Sequence, residues 1–213
     1  LARRGCSRVS VNPQTMQDAV LERMGRAHRA DDILRAYALA RESGIGCINM
    51  DLIAGLPGDS AEGFRASLEQ VLDLGPENVT VHTLALKKGS RLMEEGGALP
   101  SSEETGRMVN LSLEALEGAG YRPYYLYRQK YMSGGLENVS WCLPGTENHY
   151  NIIMMEELQS VLSLGAGGVT KLVDRSSGRI VRLTNPKYPH DYLAMSAKVL
   201  EQKDEILRFY REV

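Results

Sequence analysis

Cysteine is scarce in this sequence. Cys6, Cys47 and Cys142 are the three found in 213 residues. They are too few for a disulfide framework, and their spacing fits no zinc-binding pattern. A reducing, cytoplasmic setting is the expectation. Neither sign of charge is in excess, since 25 Lys and Arg face 27 Asp and Glu for a formal net charge of −2. That balance excludes the strongly basic footprint of a nucleic-acid binder. No apolar run approaches the ~18 residues of a membrane span. Internal repeats and low-complexity tracts are missing as well. So are an initiating methionine and a signal peptide: the chain opens Leu1-Ala2-Arg3-Arg4-Gly5, and the expectation is a piece of a longer protein. What remains is ordinary globular material, 43% apolar and 24% charged, long enough to bury a core.

Three β-branched or apolar runs, at 8–12, 47–53 and 78–84, read as strands. Helical patterns separate them. Residues 31–43 place Ile33, Leu34, Tyr37 and Ala40 on one face, with Gly44 as the C-cap. Asp59-Ser60-Ala61-Glu62 reads as a capping box opening a helix with Phe64, Leu68, Val71 and Leu72 at helical spacing. A short amphipathic helix at 17–24 precedes Gly25-Arg26. This β-α-β-α-β order predicts parallel strands with right-handed crossovers. A boundary is expected near Pro100, giving domains 1–100 and 101–213. Beyond it, Ser101-Ser102-Glu103-Glu104 caps a helix running to about Ala119. An aromatic strand at 121–131 and a Gly/Pro/Asn region at 133–151 come next. They are followed by a helix near 154–161, a hairpin around Ser176-Ser177-Gly178 and a final helix over about 189–210.

In a parallel β/α sheet, ligands gather at the C-terminal ends of the strands. That rule selects Asn12-Pro13-Gln14, then Asp51 with Gly55-Leu56-Pro57-Gly58, then His82-Thr83-Leu84-Ala85. Asp51 lies inside an apolar run, where a carboxylate is costly unless paired. It either caps its own turn or pairs with Arg26, or it accepts from hydroxyl or ammonium groups of a ligand. Arg26 is either a solvated arginine or a bidentate grip on a carboxylate. Gln14 is equally open. The glycines at 55 and 58 suit a tight strand-to-helix turn, and they lack a phosphate-loop pattern. The small-residue run Leu164-Gly165-Ala166-Gly167-Gly168 suits close backbone packing. His28, His82, His149 and His190 have no metal-ligand spacing, and His82 reads as a satisfied core histidine or a base. The residues alone define a partial β/α barrel with a polar rim, not a reaction.

Three segments carry a resemblance. They are Val9-Ser10-Val11-Asn12-Pro13-Gln14-Thr15, Gly25-Arg26-Ala27-His28 and Asn49-Met50-Asp51-Leu52-Ile53-Ala54-Gly55-Leu56-Pro57-Gly58. Their order and intervals resemble the radical S-adenosylmethionine coproporphyrinogen dehydrogenase family, the oxygen-independent coproporphyrinogen III oxidase group. The tail segments Tyr124-Tyr125-Leu126-Tyr127-Arg128-Gln129-Lys130-Tyr131-Met132, Gly135-Leu136-Glu137-Asn138-Val139 and Pro144-Gly145-Thr146-Glu147-Asn148 are similar to its HemZ-like branch.

The resemblance implies an α/β fold: the C-terminal part of an incomplete (β/α)6 radical-SAM barrel, followed by an α+β C-terminal region. It implies that Gln14, Arg26, Asp51 and Ala85 contact S-adenosylmethionine. It implies oxidative decarboxylation of porphyrinogen propionates to vinyls, in haem biosynthesis. Arg128 and Lys130 are expected to meet the carboxylates of the tetrapyrrole substrate. A [4Fe-4S] cluster on a CxxxCxxC motif is implied for the full-length parent. This chain lacks that motif, so no catalytic or metal-binding residue is assigned, and the chain alone is expected to be inactive. The missing N-terminal half becomes its natural partner, with the electron donor unknown and neither nucleic acid nor membrane involved. Open strand edges predict self-association of the piece on its own. The alternative is a haem-binding chaperone or carrier of the same superfamily.

Overall fold

The computed structural model describes residues 1–85, 99–127 and 136–212. The chain divides into two compact units, Leu1–Glu147 and Asn148–Val213.

The first unit is built on strands β1 (Arg8–Ser10), β2 (Cys47–Ala54) and β3 (Asn78–Thr83). Helices α1 (Asp18–Arg23) and α2 (Ala30–Glu42) connect β1 to β2, and α3 (Ala61–Leu74) connects β2 to β3. The three strands pair in parallel, as their alternation with helices requires. Helix α4 (Ser102–Gly118) leads into β4 (Arg122–Tyr127) and β5 (Asn138–Cys142). Both of these strands pair antiparallel, extending the sheet to the order β1-β2-β3-β5-β4. The fold class is therefore α/β with a mixed sheet. Among the described residues the last parallel strand ends at Thr83, and the compact unit continues to Glu147. Strand β5 falls in the region read from sequence as Gly/Pro/Asn-rich and without an element. Its five residues were too short a run to stand out between the glycines and prolines around them.

Burial alternates strictly along β2. Ile48, Met50, Leu52 and Ala54 have no exposed surface and meet Phe64, Leu68 and Val71 of α3 and Met108 of α4 in one core. Burial of each large side chain contributes about 1.5–3 kcal/mol. This face is closed by helices, and the other face holds the polar residues.

The helix ends follow local chemistry. The N-cap of α3 is Ser60, whose hydroxyl accepts from Gly63 N. The capping box expected at Asp59-Ser60-Ala61-Glu62 does not form: the helix starts one residue later, its N3 residue Gly63 has no side chain to reach back, and the Asp59 carboxylate accepts from Gln17 Nε2 at 2.6 Å. Ser101 caps α4 by accepting from Glu104 N at 3.0 Å, and Glu104 Oε1 accepts from Ala61 N at 2.7 Å, tying α4 to the start of α3.

The second unit contains α5 (His149–Met155), the hairpin of β6 (Val169–Val173) and β7 (Ile180–Thr184), and helices α6 (Pro189–Ala194) and α7 (Ser196–Glu212). The helix expected near 154–161 starts earlier, because the Asn148 side chain caps it by accepting from Tyr150 N. The single last helix is two helices, separated at Met195, whose ψ of 38° leaves the helical range. In the small-residue run, Asn185 Nδ2 donates to Gly165 O at 2.8 Å and Gly167 N donates to Pro186 O at 2.8 Å. These glycines bring one backbone against another.

Candidate functional site

The C-terminal rim of the parallel strands collects the residues selected from sequence. Gln14 is stitched into that rim by its backbone. Its N–H donates to Asp51 O at 2.9 Å and its carbonyl accepts from Ile53 N at 2.9 Å. Gln14 also has a φ of 69°, a left-handed conformation that costs a non-glycine residue free energy. Both strand contacts hold it there. Among the described residues, the one hydrogen bond of its side chain is a 3.4 Å contact to Asn12 O.

Asp51 faces away from the helices. Its side chain is 17% exposed and stands 3.5 Å from His82 Nε2. Asn49 Nδ2 donates to Asp51 Oδ1 at 2.7 Å. Neither the self-capping nor the Arg26 pairing considered from sequence occurs here. Arg26 is exposed, follows Gly25, and makes no side-chain hydrogen bond or ion pair among the described residues. Ala85 is half-buried just beyond β3, next to Leu84, whose N–H donates to Ala54 O at 2.9 Å. Gln14 and Asp51 are thus joined directly, and Arg26 is joined to neither. Arg128 and Lys130 lie outside the described residues.

The turn after β2 is tightly packed. Gly55 has φ 85°, and a Cβ there would stand 3.1 Å from the Thr105 side chain of α4. This supports the strand-to-helix turn over a phosphate loop, because the loop backbone is covered by a neighbouring helix.

Sequence reasoning missed a polar network that crosses four strands on the open face. Thr80 Oγ1 donates to Asn49 Oδ1 at 3.2 Å, and Thr80 and Ser140 hydroxyls lie 2.7 Å apart. The Tyr127 hydroxyl lies 2.9 Å from His82 Nδ1. A β-bulge between Pro123 and Tyr125 breaks the alternation of β4, so Tyr124 and Tyr125 are both half-buried. Their rings meet edge to face at 4.8 Å, and Tyr125 stacks on Tyr127 at 6.3 Å. Burial pushes the Tyr125 phenol up. The Ser140 hydrogen bond opposes this, and neighbouring Tyr124, Tyr127 and Asp51 reinforce it. Parallel strands β2 and β3 share faces at register partners such as Asp51 and Thr80; that register was the one available signal for part of this network.

The donor set suits a nucleoside bearing an amino acid better than it suits an iron cluster. Asp51 Oδ2 and the Gln14 amide can take hydroxyl or ammonium protons, and Arg26 can take a carboxylate. The thiols do not suit a cluster. Burial pushes Cys142 up to about 11 and raises Cys47 as well, and Cys6, Cys47 and Cys142 are too far apart in sequence to form a CxxxCxxC run. Among the described residues no group of three His, Cys, Asp or Glu could hold a metal ion. No described helix is long and apolar enough to cross a membrane.

Together these features define an α/β protein with a polar C-terminal rim on its parallel strands. Residues 1–71 match the radical SAM superfamily. The chain is 38% identical over 208 residues to the oxygen-independent coproporphyrinogen-III oxidase-like protein HemZ of Bacillus subtilis, covering 97% of this chain and 41% of that protein. It is 26% identical over 204 residues to the heme chaperone HemW of Escherichia coli, covering 96% of this chain and 50% of that one. Its fold matches the solved coproporphyrinogen III oxidase HemN of Escherichia coli with a TM-score of 0.65 at 19% identity, over 88% of this chain and 42% of that one. The chain belongs to the radical SAM superfamily. It spans about half the length of the curated relatives it matches.

Proposed function

We propose that this chain is the C-terminal part of an oxygen-independent coproporphyrinogen III oxidase-like radical SAM enzyme of the cytoplasm. In this reading β1 to β3 are the last strands of an incomplete (β/α)6 barrel, and the segment from about residue 101 is the family-specific α+β region. The observation that carries the reading is the joining of Gln14 and Asp51 on one rim by the 2.9 Å bond from Gln14 N to Asp51 O. The likeness to HemZ over nearly the whole chain favours the oxidase over other radical SAM chemistries.

Asp51, with Gln14, holds the hydroxyl and ammonium groups of S-adenosylmethionine. Arg26 holds its carboxylate, and Ala85 leaves room for a flat ring. When bound, S-adenosylmethionine and a [4Fe-4S] cluster would supply the radical chemistry, given one electron from an external donor. The cluster ligands come from sequence outside these 213 residues, because the thiols here do not fit. Arg128 and Lys130 pair with the propionates of the tetrapyrrole. Strands β1 and β4 end the sheet, and β1 offers its open edge to the N-terminal half of the barrel. On that basis the 213-residue chain alone self-associates; a monodisperse monomer by light scattering at high concentration is the contrary result.

The test is turnover of coproporphyrinogen III by the longer, cluster-loaded protein under anaerobic conditions. Formation of divinyl product, abolished in Asp51→Ala, is expected. Tight haem binding without any decarboxylation overturns the oxidase reading in favour of the second one, a haem chaperone or carrier. The likeness to HemW over 96% of the chain is the observation behind that second reading.

A further inference from the structure

We propose that His82 is a positioning residue, which orients Asp51 for its ligand and joins that carboxylate to Tyr127, so that the cofactor rim and strand β4 respond as one unit. The proposal rests on the reading of Asp51 as a cofactor contact.

Three geometric facts lead to it. Asp51 Oδ1 is occupied by Asn49 Nδ2 at 2.7 Å, and Thr80 pins the far end of that amide at 3.2 Å. Oδ2 is the atom that faces His82 Nε2, at 3.5 Å. The other ring nitrogen, Nδ1, lies 2.9 Å from the Tyr127 hydroxyl. Both side chains facing each other are largely enclosed, with His82 24% and Asp51 17% exposed.

The chemistry then fixes the proton positions. An ionised carboxylate only accepts, so a neutral ring in this place presents its N–H at Nε2. Nδ1 is left as an acceptor, and the Tyr127 hydroxyl must donate to it. Asp51 therefore sets the tautomer, and the Tyr127 hydroxyl satisfies the ring nitrogen left bare and holds the ring's orientation toward Asp51. This is the logic by which an outer carboxylate or carbonyl orients a ligating histidine, with the order of partners reversed. At 3.5 Å the Nε2 contact is long for a hydrogen bond and leaves Oδ2 room to accept from a ligand at the same time. Because Asp51, His82 and Tyr127 come from β2, β3 and β4, loss of any one is felt at the other two.

The experiment is anaerobic calorimetry of S-adenosylmethionine binding to the full-length, cluster-loaded protein, with the thermal midpoint recorded for each variant. His82→Leu weakens binding on the order of tenfold and Tyr127→Phe on the order of threefold, the size of one or part of one hydrogen bond to a charged group. His82→Gln, which keeps a donor, recovers part of the loss. In the cycle, Tyr127→Phe has no further effect on top of His82→Leu. A purely structural role would shift the midpoints without this coupling in affinity. Should His82→Leu fail to fold, His82→Gln and Tyr127→Phe still carry the cycle. Weak binding in Asp51→Asn together with undiminished binding in both His82 variants overturns this inference alone, as does simple additivity of the two changes. No binding by the unaltered protein overturns the cofactor reading and this inference with it.

Discussion

On β2, residues one position apart live in different worlds. Met50 and Leu52 have no exposed surface and pack under α3 and α4. Asn49 and Asp51 look to the open face, where each polar group is matched by a neighbouring strand. The helix-covered face is held by area and shape, and tolerates no gap. The open face is held by directed hydrogen bonds, and its cost is that every member needs its partner. The lesson is that one strand carries the apolar core on its even residues and a polar hydrogen-bond network on its odd ones.

The sharpest way to break that comparison is to exchange the two kinds of damage. Leu52→Ala leaves a cavity in the closed core and should cost about 2–5 kcal/mol of stability. It should leave affinity for S-adenosylmethionine nearly intact in whatever fraction remains folded. Asp51→Asn, at the adjacent residue, should change stability by within about 1 kcal/mol and lose most of the binding. Denaturant midpoints and binding isotherms on the same two variants check both halves. If Leu52→Ala and Asp51→Asn proved equally destabilising, the division of labour between the faces would be wrong.

That division was half legible in the sequence. The alternation of apolar and polar residues through Asn49-Met50-Asp51-Leu52 marks two faces, and the β-α-β-α-β order puts Gln14 and Asp51 at one end. The cap at Ser101 was visible because it depends on residues three apart, whereas the box read at Asp59–Glu62 fell one residue short of the true cap at Ser60. The hairpin around Ser176-Ser177-Gly178 was visible for the same local reason. The rest depends on distant pairing. His82 and Tyr127 are 45 residues apart, as the contact between them records, and Thr80 meets Ser140 across 60. Nothing short-range announces such partners, because the antiparallel return of β5 creates them. Tyr124 and Tyr125 are adjacent in the sequence, which a strictly alternating strand does not explain; the bulge at Pro123–Tyr125 does. The positive φ of Gln14 was equally hidden, since no local preference favours glutamine there.

A smaller effect sharpens the comparison through the polar residues that do enter the covered side. Asp59 is 8% exposed, accepts from Gln17 Nε2 at 2.6 Å and from Ser60 N at 2.8 Å, and keeps Oδ2 buried with no partner among the described residues. Burial pushes its carboxyl above the ordinary 3.8, against the lowering pull of the Gln17 and Ser60 hydrogen bonds. In the second unit, Asp174 goes the other way. Hydrogen bonds from Ser177 and Ser176 hold it down to about 2. A native carboxyl that binds its proton more tightly than the unfolded chain contributes stability below the unfolded value, and that contribution is lost as pH rises through the raised native value. Asp174 contributes stability above the unfolded value of 3.8, which is lost as pH falls toward about 2. Hence Asp59→Asn should remove a loss of stability on raising the pH from about 4 toward neutrality, while Asp174→Asn should remove a loss on lowering it below about 4. Thermal midpoints across that range, read separately for the two variants, give opposite slopes if the burial of Asp59 outweighs its hydrogen bonds. Parallel slopes would mean that Gln17 and Ser60 satisfy the buried carboxylate fully, and that the covered face admits a charge at no cost.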